Sequence, residues 1–231
     1  MVNSSTNSNS DLVNVKISDL VSKFDLVVKG SESFIYASSF LSHETLIKER
    51  KAKKYRNPHL DSELRFQRLR IESRMIKLAL QNSIAVPIIY SVDISTFSMQ
   101  LEYIKGQNLG QFLFEDTSRS DVTHKRKFFE EFGLIVSKLH NISIIHGDLT
   151  PMNILISRTN SIRIIDFGLS FISDEVKDKA MDLFILFGSL KIFAQQNEDL
   201  FDMFLQGYQR VDNYKPIIDI FNKLTNKGRY K

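Results

Sequence analysis

Apolar positions recur with two different periods along this chain. Up to Leu101 they come in short runs between polar turns, as in strands, with one helical stretch among them; from Lys127 they recur every three to four residues. FDLVVKG from Phe24 and FIYAS from Phe34 predict two strands joined over Gly30-Ser31-Glu32-Ser33. Glu44 to Lys48 alternates as a third strand that delivers Lys48 at its end, and Pro87 to Leu101 predicts a strand pair. Asp61 to Leu80 carries an apolar helical face on which Glu72 falls together with Met75, Ile76 and Ala79. Glu63, nine residues earlier at about 100° per residue, falls on the opposite side. Lys48 to Arg56 is a charged loop, and Asn57-Pro58 after it should end any helical tendency.

In the second half, Glu115 to Lys127 is a polar connector and Lys127 to Ile142 an amphipathic helix with Phe128, Phe129, Phe132, Val136, Leu139 and His140 inward. Ile144 to Ser170 holds two short apolar strands around a polar turn. Helices are predicted over Ala180 to Ala194, about Asp199 to Arg210, and Tyr214 to Thr225. Met1 to Ser10 has almost nothing to bury and should be disordered. The fold class is α+β, compact and bilobal: a β-rich N-lobe over residues 11–104, a truncated helical C-lobe over 105–225, and a basic tail over 226–231.

The chemistry concentrates between Ile144 and Ser170. A turn carries His146, Asp148 and Asn153, and the second apolar strand ends in Asp166-Phe167-Gly168. This is the order of a kinase catalytic loop and metal loop: a carboxylate to orient the attacking hydroxyl, then an amide and a second carboxylate as hard oxygen ligands for magnesium on ATP. Asp148 is the expected catalytic base, and Asn153 and Asp166 the expected metal ligands. Glu72, a carboxylate on a buried stripe, needs a partner, and Lys48 is the natural one, giving the ion pair that positions the α and β phosphates. The turn Gly30, Ser31, Glu32, Ser33 is the candidate lid on the phosphates, with fewer glycines than a protein-kinase loop and a grip that rests partly on Ser31 and Ser33. Glu102-Tyr103-Ile104 is the candidate hinge, where the Glu102 carbonyl and the Ile104 N–H would meet adenine while Leu101 guards the back of the pocket. His140 and His146 read as core and turn residues. Asp182 is suited either to holding the catalytic loop from below or to complementing a helix N-terminus.

Composition narrows the setting. The absence of cysteine excludes a disulfide framework and a thiolate zinc site, and agrees with a cytosolic or nuclear location. No apolar run is long enough for a membrane span, so no membrane partner is expected. A net charge of +4 is modest, but Arg50 to Arg56 and Lys227 to Lys231 gather basic residues as a solvated surface or a footprint for a polyanion.

Gly147 stands where regulated protein kinases carry the arginine of His-Arg-Asp, there is no Ala-Pro-Glu motif, and Asp166 to Asp182 is too short for a long regulated loop. The site should therefore be constitutively formed. With KGSESFIY, LIKERKAKKYRNPHLD, RIESRMIKLAL, KLHNISIIHGDLTPMNIL, IIDFGLS, DKAMDLFILFGSL and LFDMFLQGYQ in hand, the chain resembles the small atypical kinase of the KEOPS (EKC) complex, the PRPK family, from Val27 onward. That resemblance implies ATP hydrolysis and serine/threonine phosphorylation in support of threonylcarbamoyl transfer to tRNA beside the anticodon. It implies a threonylcarbamoyltransferase subunit bound through the C-lobe and tail, other subunits through the N-lobe, and tRNA in the assembly. Phe187-Gly188 departs from the family's charged pair, and the tail is less arginine-rich. The alternatives are a small-molecule kinase of the aminoglycoside or choline type, for whose large helical acceptor half the chain has no room, and a nucleotide-binding scaffold, which the set of Lys48, Asp148, Asn153 and Asp166 argues against.

Overall fold

The computed structural model describes residues 26–30, 32–115, 122–193 and 199–227. The predicted N-terminal tail, Ser31 and the last four residues of the basic tail lie outside them. Strands β1 (Leu26–Lys29), β2 (Ser33–Phe40), β3 (His43–Arg50), β4 (Ile89–Asp93) and β5 (Ser98–Glu102) form one antiparallel sheet in the order β1-β2-β3-β5-β4. Strand β3 outruns the expected Glu44–Lys48 by two residues at its C-terminal end, and Arg50 is paired on the ladder opposite Ser33. Period two then puts Lys48 and Arg50 on one face and Ile47 and Glu49 on the other. Arg50 thus does not belong to a solvated loop: it is buried, and the basic segment begins at Lys51.

Asn57 and Pro58 start a helix where they were expected to end one. The Asn57 carboxamide oxygen accepts from the backbone N–H groups of His59 (3.0 Å) and Leu60 (3.4 Å), and Pro58 occupies the first position of helix α1 (Pro58–Gln81). Proline has no N–H to leave unsatisfied in a first turn, and its fixed φ suits the helix. The buried side of α1 consists of Asp61, Leu69, Glu72, Met75, Ile76 and Ala79.

Beyond the hinge come β6 (Gly106–Asn108), α2 (Leu109–Glu115), α3 (Val122–Asn141), β7 (Ile144–Ile145), a 3₁₀ turn over Pro151–Asn153, β8 (Ile154–Ser157), β9 (Ile162–Ile164), β10 (Phe171–Ile172), α4 (Val176–Phe193), α5 (Leu200–Tyr208) and α6 (Tyr214–Lys227). Helix α2 reaches through Glu115, the first residue of the expected connector, and α3 starts five residues before Lys127, where the sequence is polar and shows no apolar period. β8 and β9 are the two apolar strands of the central stretch and pair antiparallel, with β6 on the other edge of β8. β10 pairs with β7, so the segment after the metal loop returns at once to the catalytic loop.

Phenylalanines build much of the helical lobe's core. Phe132 meets Phe204 edge to face at 5.3 Å, and Phe187 packs on Phe201 at 4.7 Å and on Phe204 at 5.2 Å. Phe187 is therefore a core residue, whereas a side chain at Gly188 would meet open space. Among the described residues no helix is long and apolar enough to cross a membrane.

Helices α3 and α5 cross at two glycines. A Cβ on Gly207 would lie 1.8 Å from the Glu130 carbonyl oxygen, and one on Gly133 would lie 2.0 Å from that of Phe204. Backbone cannot yield as a side chain can, so Gly207→Ala should force the helices apart and lower stability by about 1–3 kcal/mol in urea denaturation. Gly188→Ala is the control and should not destabilise. Equal stabilities for the two variants would contradict the close crossing.

Candidate active site

The catalytic loop is fastened from beneath. Asp182, buried on α4, accepts from the backbone N–H of His146 (2.6 Å) and of Gly147 (2.8 Å). It lies in the second turn of the helix, so its task is the loop and not the helix N-terminus. Asp182 Oδ2 also sits 3.3 Å from His140 Nε2, and His140 Nδ1 lies 2.7 Å from the Tyr208 hydroxyl on α5. Burial first, and then the Asp182 charge, push the Tyr208 phenol far above its ordinary range, so it stays protonated and donates to His140.

Gly147 has φ +79°, and a Cβ there would lie 2.5 Å from the Leu169 carbonyl oxygen. The position that carries arginine in regulated kinases is thus closed here by the returning chain. His146 Nδ1 faces the Asp148 N–H at 3.3 Å, which leaves Nε2–H to donate to the Ile165 carbonyl at 3.0 Å, while the ring packs on Phe167. Asn153 Nδ2 donates to the Asp148 backbone carbonyl at 2.8 Å and to its carboxylate at 3.0 Å. Asp148 is therefore oriented by a side chain five residues on, held in place by the 3₁₀ turn.

Asp166 adopts φ +63°, a left-handed conformation that costs a non-glycine residue about 1–2 kcal/mol. Its Oδ1 lies 2.8 Å from Lys48 Nζ, which is also 2.7 Å from Glu72 Oε1. Burial alone would raise the Asp166 carboxyl, but the Lys48 ammonium and the nearby Arg50 outweigh it and hold the group below the ordinary carboxylate range. Asp166 is thus ionised at neutral pH and, with its side chain 43 % exposed, open to a cation. Glu72 is fully buried and bonded to both Lys48 and Arg50. Glu63 faces solvent, where it accepts from Gln67, as the helical-face argument requires.

Asn153, with its amide nitrogen spent on Asp148, keeps Oδ1 for a ligand. Among the described residues no group of three or more His, Asp or Glu side chains gathers as a metal site. A divalent cation here would take one carboxylate and one amide oxygen from the protein and complete its shell from phosphate and water, which suits a small, hard ion.

A cavity of about 270 Å³ collects Gly30, Ser33, Arg50, Asp148, Asp166 and Gly168. The turn above it, including Glu32, lines the same cavity and is bonded locally. The Gly30 N–H is spent within the turn on the Ser33 carbonyl at 2.9 Å, and the Glu32 carboxylate is paired with Arg68 of α1. A carboxylate facing phosphates would repel them, and the arginine offsets that charge. Glu102 and Ile104 of the hinge line a different hollow of about 490 Å³, with Tyr90 and Arg158, that shares no residue with the first. The Glu102 carboxylate accepts from the Ile88 N–H at 3.1 Å, which ties the hinge strand to the chain entering β4.

Arg50 is the residue that sequence reasoning missed. Its signal was period two from Lys48, masked because Lys48, Glu49 and Arg50 are all charged.

Residues 27–185 match the protein kinase domain family. The chain is 32% identical over 222 residues to the EKC/KEOPS complex subunit bud32 of Dictyostelium discoideum, covering 93% of this chain and 88% of that protein. It is 34% identical over 185 residues to a protein of Archaeoglobus fulgidus named "Probable serine/threonine-protein kinase BUD32 homolog", covering 80% and 88% of the two. A "Probable bifunctional tRNA threonylcarbamoyladenosine biosynthesis protein" of Methanosphaera stadtmanae is 36% identical over 203 residues, 87% of this chain, but the chain spans only 36% of that longer protein. A protein kinase domain implies phosphoryl transfer from ATP with a divalent cation, which agrees with the oxygens and the lysine gathered around Asp148. The chain belongs to the protein kinase domain family and, within it, to the bud32 kinases.

Proposed function

We propose that this chain is a magnesium-dependent serine/threonine kinase and ATPase that acts as the kinase subunit of an EKC/KEOPS-type assembly and supports threonylcarbamoyladenosine formation in tRNA. The observation that carries the reading is the convergence of Asp148 and Asp166 on one cavity, with Asn153 braced on the first and Lys48 on the second. Asp148 orients the attacking oxygen of a serine, threonine or water and takes its proton as the new bond from that oxygen to the γ-phosphorus forms and the bond to the leaving ADP breaks. Asp166 and Asn153 would hold magnesium, which neutralises the phosphate oxygens. Lys48, kept in place by Glu72, would hold the α and β phosphates. The names of the relatives support the assembly and the tRNA product. In this reading the transferase subunit binds the C-lobe and tail, other subunits bind the N-lobe, and tRNA meets the basic residues from Lys51 to Arg56.

The test is native copurification together with threonylcarbamoyladenosine measured in tRNA after depletion of the chain. The modification should fall, return with the wild-type chain and stay low with Asp148→Asn. Normal modification after depletion, or full rescue by the variant, would overturn the proposal.

A further inference from the structure

The charges beneath the cleft form a chain of four: Arg50, Glu72, Lys48 and Asp166, two positive and two negative. Lys48 divides its ammonium between Glu72 and Asp166. Once phosphates and a cation occupy the site, Lys48 is drawn to phosphate and Asp166 to the cation, and Glu72, with no exposure to water, still needs a counter-ion. Arg50 is the second cation on Glu72, and it lines the cavity beside Asp166 and Gly168. It is 5 % exposed, its Nη2 bonds Glu72 Oε2, and its Nε is buried with no hydrogen-bond partner. The same Nη2 would lie 2.6 Å from a Cβ on Gly168, with Cζ at 3.4 Å, so the guanidinium fills the space beside the metal loop that a side chain there would need.

We propose that Arg50 is a positioning residue that clamps Glu72 of α1 to the metal loop at Gly168. It holds Lys48 and Asp166 in working geometry with no covalent switch, in a chain whose Gly147 leaves no arginine to read a phosphate. The proposal rests on the kinase reading above. A planar guanidinium can bond a carboxylate and cover a backbone at once, which an ammonium cannot.

The test compares the full wild-type chain with Arg50→Gln, Arg50→Lys, Gly168→Ala and the double variant Arg50→Gln/Gly168→Ala. Steady-state ATP turnover with magnesium is measured alongside hydrogen exchange of the α1 amides around Glu72. Arg50→Gln should lower kcat by about 10–100-fold, the scale of a misplacement of about 1 Å, while KM for ATP changes by less than about threefold. Exchange near Glu72 should accelerate, and Arg50→Lys should recover only part of both. A Cβ on Gly168 would press Arg50 Nη2 at 2.6 Å harder than Asp166 Oδ1 at 3.3 Å, so Gly168→Ala should lower kcat in the wild-type background and lose most of that effect once Arg50 is gone. An unchanged kcat in Arg50→Gln, or losses that multiply in the double variant, would overturn the clamp. If the wild-type chain shows no turnover, the kinase reading fails, and exchange still decides: unchanged protection near Glu72 in Arg50→Gln refutes the clamp alone. If Arg50→Gln does not fold, Gly168→Ala supplies the same separation of kcat from KM, and a Gly168→Ala kcat equal to wild type refutes the clamp.

Discussion

Asp148→Asn and Asp166→Asn should each remove magnesium-dependent ATP turnover, with kcat falling by about 10²–10⁴-fold for the base and at least as far for the metal ligand. The fold should survive both changes. Asp148 is only half-buried and its carboxylate accepts from Asn153, a bond that an amide oxygen can still accept. Asp166 is 43 % exposed, and Lys48 keeps Glu72 as its partner when the carboxylate is lost. Circular dichroism and thermal unfolding should therefore show near-wild-type proteins in which phosphate release with magnesium and ATP has ceased. Wild-type turnover in both variants would leave a nucleotide-binding scaffold as the better description.

The largest loss of stability should come from Glu72→Ala. The change strips the shared anion from two cations whose side chains are only 8 % and 5 % exposed. Breaking a buried pair by removing one partner typically costs about 3–5 kcal/mol, because the remaining charge stays out of water. Lys48 keeps its bond to Asp166, whereas Glu72 is the carboxylate that Arg50 bonds. Glu63→Ala on the solvent side of the same helix is the matched control and should lie within about 0.5 kcal/mol of wild type. Chemical denaturation of the two variants decides the matter: a Glu72→Ala loss no larger than that of Glu63→Ala would mean that the network does not hold the small lobe together.

The catalytic and metal loops were legible because their chemistry demands fixed residue types in a fixed order, and the Lys48 and Glu72 pairing because 3.6 residues per turn separates Glu72 from Glu63. Asp182 was legible only as an alternative, since sequence cannot say which turn of a helix faces a loop. Asn57-Pro58 was misread because the same dipeptide can close one helix or open another, and only the carboxamide bonds to His59 and Leu60 decide. Arg50 was lost in a run of charges, where a buried guanidinium and a solvated one are spelled alike. Sequence could not show how Gly30 and Glu32 bond locally: the Gly30 N–H goes to the Ser33 carbonyl and the Glu32 carboxylate to Arg68, while both residues line the cavity.

The line from Tyr208 through His140 and Asp182 to the amides of His146 and Gly147 also bears on which part of the molecule moves. Every donor in it points the same way, toward one carboxylate, and Tyr208, His140, Asp182 and His146 are buried in the helical lobe with Gly147 half-buried at its end. Hydrogen bonds in such a dry interior are strong and do not exchange with water, so shifting the catalytic loop would require breaking several of them together. The contact between Lys48 and Asp166 across the cleft is different, since Asp166 reaches solvent and a phosphate can take its place on Lys48. Of the two, the contact across the cleft is the one that an anion can open, while the bonds to Asp182 leave the catalytic loop anchored.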